Sequence, residues 1–315
     1  MATEFIWEGL AMEFLYLLEK IRVPVLNEFM LGITHFGAEI AFLVVAMILV
    51  WCVDKRSGYY VMTVGFLGTI TNQFMKLWFR IPRPWVLDEN FTILEQAREG
   101  ASGYSFPSGH TQSAVGTFGA LAYITRRKFL RIVSIIVMIL VPFSRMYLGV
   151  HTPLDVSIAA MIALVLVFSL KPLVLGKNKW VFPCFLGIMV AVACAYLCFV
   201  EKYPFPSDTD PHNLESGFKN AYTLLGTLAG FLIVYAVDEK WLHFPEKAVW
   251  WAQLIKIAVG LGLVLAVKSG LKTPLNAIFG ELVGRAVRYF LLVIVAGIVW
   301  PLTFRLFAKL GAKEK

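Results

Sequence analysis

Three short runs of this sequence concentrate side chains able to handle a phosphoryl group. Lys76 and Arg83 stand seven positions apart, with Pro84 directly after Arg83. Pro107 is followed by Ser108, Gly109 and His110. Ser144 and Arg145 precede His151 by a short spacer, and Asp155 lies four residues beyond His151. A guanidinium fork pairs two phosphoryl oxygens at once, whereas Lys acts as a point charge. Imidazole titrates near neutrality, so it serves either as nucleophile or as proton donor to a leaving oxygen. Ser108 reads as a helix N-cap and Gly109 as a point of close backbone approach, and the N–H groups of a helix start favour an anion. Thr152 and Pro153 read as N-cap and first helical residue, which puts Asp155 in the first turn, where it can accept the Nδ1 proton of His151. Together these groups suit phosphoryl transfer to imidazole without a metal.

The remainder of the chain must bring these runs together, and composition says where. The sequence is 58% hydrophobic and 16% charged, with 25 Phe and 9 Trp, and its mean hydropathy is +0.71. A soluble domain cannot hide that much apolar surface, whereas a bilayer accepts it. An all-α, polytopic bundle of about nine spans is expected, at roughly 38–54, 59–78, 109–125, 130–149, 153–171, 181–200, 219–237, 250–267 and 288–307. Residues 3–36 mix charged and apolar positions and read as amphipathic helix at the interface. The expected organisation is an N-terminal interfacial segment (1–37), a membrane core (38–200) and a C-terminal membrane extension (201–315). The net charge of +8 resides mostly in short loops between apolar runs, so it indicates headgroups and not nucleic acid. Cys52, Cys184, Cys194 and Cys198 lie inside apolar runs and read as small buried hydrophobes. The chain starts without a basic n-region, so no cleavable signal peptide is expected.

Basic loops set the orientation. Arg126, Arg127, Lys128 and Arg131 cluster between the third and fourth spans. Lys55, Arg56, Lys171, Lys177, Lys179, Arg305, Lys309, Lys313 and Lys315 fall on the same side, which is then cytoplasmic. All three chemical runs fall on the opposite side, above one bundle made by the second to fifth spans. Arg285, Arg288 and Glu281, before the last span, read as headgroup anchors. Asn90-Phe91-Thr92 is a glycosylation triplet on the outer side.

The three runs follow the pattern K-x6-R-P, P-S-G-H and S-R-x5-H-x3-D, with every position present. In this the chain resembles the type 2 phosphatidic acid phosphatase superfamily, strongly over roughly residues 60–170. The resemblance implies a six-helix catalytic core and a metal-independent phosphatase with no cofactor. It implies that His151 attacks phosphorus to give a phosphohistidine, that His110 is the acid and that Asp155 orients His151. Lys76, Arg83, Ser108, Gly109 and Arg145 would hold the phosphate. The expected substrate is a lipid phosphate or a polyprenyl diphosphate, handled at the outer face of a bacterial inner membrane. The runs Arg83–Asp88 and Ser144–Leu148 also resemble the glucose-6-phosphatase branch, which makes a sugar phosphate the alternative, whereas Asp155 is typical of lipid phosphatases.

Other classes fit less well. A flippase or transporter predicts repeated halves with paired broken helices, and no such symmetry is visible. A serine hydrolase on Ser108 leaves three cations and a second histidine unexplained, and no G-x-S-x-G surrounds it. A zinc ion held by His110, His151 and Asp155 would be repelled by Lys76, Arg83 and Arg145.

Overall fold

The computed structural model describes residues 2–101 and 103–310, so Lys313 and Lys315 of the basic set lie outside the described residues. Every regular element among those residues is helical. In chain order the helices are α1 (Ala2–Lys20), α2 (Pro24–Thr34), α3 (Glu39–Ile48), α4 (Lys55–Phe79), α5 (Pro84–Leu87), α6 (Gly109–Ile124) and α7 (Lys128–Tyr147). They continue as α8 (Pro153–Leu175), α9 (Val181–Lys202), α10 (Pro211–Val237), α11 (Trp250–Gly270), α12 (Lys272–Phe279), α13 (Glu281–Ile294) and α14 (Phe304–Leu310).

Several boundaries follow from local chemistry. α4 ends at Phe79 because Arg80 turns into the left-handed region, at φ 51°, just before Pro82. The Arg80 side chain also donates to the Leu77 carbonyl at 3.3 Å, closing that helix end. α8 starts with a reciprocal cap. Thr152 N–H donates to Asp155 Oδ2 at 2.8 Å, and Asp155 N–H donates to Thr152 Oγ1 at 3.2 Å.

Fewer than the nine expected spans are shown by helix length and composition. Among the described residues, six stretches are long and apolar enough to cross a membrane: Lys128–Tyr147, Pro153–Leu175, Val181–Lys202, Pro211–Leu242, Trp250–Phe279 and Glu281–Leu310. A seventh arises if Pro24–Gly37 and Glu39–Val53, bent by 55°, are one broken span. The helices at the expected spans 59–78 and 109–125, α4 and α6, do not meet that length and composition. α6 has 16 residues, about 24 Å at ~1.5 Å per residue, which is short of the ~30 Å hydrocarbon core. Its residues 114–121 are all buried, so protein and not lipid surrounds that stretch. α4 is long enough but carries Asn72, Gln73 and Lys76, and Asn72 and Lys76 are buried. Polar side chains turned toward a protein interior lower the hydropathy of a helix.

Two stretches between the expected spans, 201–218 and 268–287, are also largely helical. In 201–218, α10 already starts at Pro211, behind Asp210, whose Oδ1 accepts the Asn213 N–H at 3.0 Å. In 268–287, α12 and α13 meet at Gly280, whose φ of +78° is open to glycine at little cost.

The chain forms two compact units. The first comprises Met1–Leu43, Val61–Leu170 and Pro206–Ser216, and the second Val44–Tyr60, Lys171–Phe205 and Gly217–Lys315. In the first unit the N-terminal helices pack inward. Leu15 and Leu18 bury against Phe91, and Met30 joins Ala97, Tyr147, Leu148 and Val150. Tyr16 Oη donates to Asp88 at 2.8 Å, and Arg22 donates to the carbonyls of Tyr147 (3.0 Å) and Thr92 (2.8 Å). These contacts brace the loop 80–101 and the turn 145–151. In the second unit α10 approaches α13 so closely that a Cβ at Gly226 would lie 2.1 Å from the Ala286 carbonyl.

Candidate active site

All eight residues singled out by the sequence lie in the first unit. Lys76 leaves the last turn of α4, Arg83 precedes α5, Ser108 caps α6, and Gly109 and His110 open it. Arg145 is in the last turn of α7, His151 lies in the turn after it, and Asp155 is in the first turn of α8. Lys76, Arg83, Ser108, Arg145, His151 and Asp155 are all buried, and Gly109 and His110 are half-buried.

Arg83 and His151 form the centre. Arg83 Nη1 stands 2.9 Å from His151 Nε2 and donates to the Val150 carbonyl, also at 2.9 Å, while its Nε donates to Gly103 at 3.0 Å. A guanidinium can only donate, so Nε2 presents its lone pair, and a neutral His151 then carries its proton on Nδ1. Nδ1 lies 3.4 Å from Asp155 Oδ2 and 3.4 Å from Ser105 Oγ. That separation is longer than an ordinary N–H···O bond. The Asp155 oxygen is held meanwhile by Ser105 Oγ at 2.6 Å and by Thr152 N–H. Burial, reinforced by Arg83, Arg145 and Lys76, holds the His151 imidazole well below its ordinary pKa, so it is neutral at pH 7. Burial also pushes the Arg83 guanidinium down to about 10, which leaves it charged.

Lys76 is tied to a loop carbonyl, and Arg145 to a hydroxyl and a loop carbonyl. Lys76 Nζ donates to Tyr104 O. Arg145 Nη1 donates to Thr34 Oγ1 at 2.8 Å and its Nη2 reaches the Gly100 carbonyl at 3.5 Å, while its Nε is buried with no partner among the described residues. A Cβ on Gly100 would lie 3.6 Å from Cε1 of His110, which brings that ring to the same place as Arg145. Burial, with Arg145, Arg83 and Lys76 nearby, pushes the His110 imidazole down to about 2, so it gains a proton to pass on only when an anion occupies the cluster. Three cations therefore face one carboxylate, Asp155. A cluster with more basic groups than carboxylates suits an anionic phosphoryl group, and fixed donors around such a group are what phosphoryl transfer requires.

Three contributors escaped the motif reading. Ser105 donates to Asp155 at 2.6 Å and lies 3.4 Å from His151 Nδ1. Asn72, one turn before Lys76 on α4, donates to the Pro107 carbonyl at 3.1 Å and so holds the loop that enters α6. Thr34, at the end of α2, receives Arg145 across 111 residues of sequence. Asn72 had a local signal in its i, i+4 spacing from Lys76. Ser105 and Thr34 had none. Thr34→Val is expected to lower kcat/KM about tenfold, the loss of roughly one hydrogen bond to a charged group. The check is steady-state kinetics beside a melting curve, which should move by only a few degrees.

The chain belongs to the PAP2 superfamily, whose family model matches residues 57–179. A second model, the PAP2 superfamily phosphatase transmembrane extension, matches residues 222–314. The protein is thus an integral-membrane PAP2 phosphatase, a hydrolase of phosphoric monoesters or diphosphates. It is similar to phosphatidylglycerophosphatase B of Bacillus subtilis (strain 168), 31% identical over 165 residues that make up 48% of this chain and 76% of the relative. It is also similar to the undecaprenyl-diphosphatase of Sulfolobus acidocaldarius, 28% identical over 149 residues, 47% of this chain and 70% of that one. Among solved structures, the first transmembrane PAP2 type phosphatidylglycerolphosphate phosphatase from Bacillus subtilis is 27% identical with a TM-score of 0.45, over 57% of this chain and 89% of that one.

Proposed function

We propose that this phosphatase hydrolyses lipid phosphate monoesters or polyprenyl diphosphates at the extracytoplasmic face, through a phosphohistidine on His151 and without a metal. The observation that carries this reading is the Nε2 of a buried, neutral His151 beside Arg83 Nη1 at 2.9 Å. A phosphoryl oxygen on that guanidinium brings phosphorus next to the nitrogen lone pair. The Nε2–P bond forms as the bond from phosphorus to the ester or diphosphate oxygen breaks, and His110 passes its proton to that departing oxygen. Water then attacks phosphorus with His110 taking its proton, the N–P bond breaks, and inorganic phosphate leaves.

Lys76, Arg83 and Arg145, with the backbone of Ser108 and Gly109, hold the three peripheral oxygens as charge redistributes. Asp155 positions His151 in the Nδ1–H tautomer. The names of the relatives above support the lipid and polyprenyl classes, and the basic loops support the outer face. A tail that remains among lipids while its phosphate enters the cluster suits a site where membrane and water meet.

The test is phosphate release from phosphatidic acid, phosphatidylglycerol phosphate, undecaprenyl diphosphate and glucose 6-phosphate, with and without excess chelator. Turnover of glucose 6-phosphate alone would overturn the lipid assignment, and loss of all turnover in chelator would overturn the metal-free mechanism. Asp155→Asn is expected to lower kcat by about 100-fold or more while KM changes little, since the amide cannot accept the Nδ1 proton as a carboxylate does. Unchanged kinetics in that variant would remove Asp155 from the mechanism.

A further inference from the structure

The second unit contains a cationic pair that the phosphatase reaction does not use. Arg288, on α13, is 5% exposed, and its Nε and Nη1 are buried with no hydrogen-bond partner among the described residues. Arg285, one turn earlier, donates from Nε to Thr223 Oγ1 of α10 at 2.9 Å. Both guanidiniums flank the ring of Tyr289, at 6.0 and 5.6 Å from its centroid. The carboxylate of Glu281, at the start of the same helix, is engaged by Lys219 at 3.3 Å. A buried guanidinium with unmade donors calls for an anion with several acceptor oxygens.

Depth identifies the source of that anion. The apolar run Glu281–Leu310 has 30 residues, about 45 Å of helix, which equals a bilayer with its headgroups. Arg288 stands about 10 Å along that run from Glu281, near the ~7 Å depth at which each headgroup layer gives way to hydrocarbon. A tyrosine beside two arginines suits that boundary. We propose that Arg285 and Arg288 form a binding site for the phosphodiester of an anionic membrane lipid, built from second-unit residues. The site is independent of the hydrolytic reading above.

The test is native mass spectrometry of the full chain, purified in detergent and titrated with phosphatidylglycerol, phosphatidylcholine or inorganic phosphate. The wild type is expected to retain phosphatidylglycerol where phosphatidylcholine is lost, and Arg288→Gln should weaken that retention tenfold or more. Arg145→Gln should retain it as the wild type does, which separates this site from the catalytic cluster. If Arg288→Gln fails to fold, Arg288→Lys and Arg285→Gln, which alter the fork or remove only one charge, should each weaken retention at least threefold. Undiminished retention in the arginine variants that fold, or loss in Arg145→Gln alone, would overturn the proposal. Displacement of the lipid by millimolar inorganic phosphate would overturn the lipid source.

Discussion

Replacing His151 by alanine is expected to abolish turnover, by about 10⁴-fold or more, on every substrate the protein accepts. Alanine leaves no atom able to take the phosphoryl group, and Arg83 loses the ring nitrogen it faces at 2.9 Å. The measurement is rapid quenching with labelled substrate, followed by a search for acid-labile, base-stable phosphoprotein. Wild type should accumulate that species and His151→Ala should not. Arg83, Lys76 and Arg145 remain in the variant, so substrate should still bind. A His151→Ala protein that still forms a phosphoenzyme would move the nucleophile elsewhere, with His110 the first candidate.

The second large effect depends on the leaving group. His110→Ala is expected to cost about 10²–10⁴-fold on alkyl phosphates, whose departing alkoxide needs a proton, and far less on aryl phosphates with acidic phenols. The structure gives this substitution a clean background. Val150, Gly103, Ser105 and Thr152 hold the Arg83–His151–Asp155 arrangement in place, whereas the His110 ring faces Gly100 and the Arg145 side of the cluster. Comparing kcat/KM for a series of phenols of graded pKa in the two proteins gives two slopes. The variant's slope should be steeper, because no group offsets the charge growing on the oxygen. Parallel slopes would remove the acid role from His110.

Much of this site was legible before any folding. The pairing of histidines with three cations, the Thr152–Pro153 cap that places Asp155 in a first turn, and the break of α4 before Pro82 are local, set within a few residues. The span count was less legible. A run of apolar residues reads as a span whatever surrounds it, so α6, 16 residues long and largely buried, and α4, which carries Asn72, Gln73 and Lys76, are counted with the longer apolar helices. The start of α10 at Pro211 was hidden for the opposite reason, because polar residues in its first turns resemble a loop.

By itself the sequence determined which side chains are candidates to hold a phosphoryl group, that the chain enters a membrane, and where the helices bearing those side chains begin. Only the tertiary structure decided their companions: that Ser105 donates to Asp155 beside His151, that Thr34 of an N-terminal helix receives Arg145, and that Arg288 is covered with donors unmade. Caps and breaks depend on neighbours a turn away, whereas these contacts arise when distant helices pack, and no spacing along the chain encodes which faces will meet.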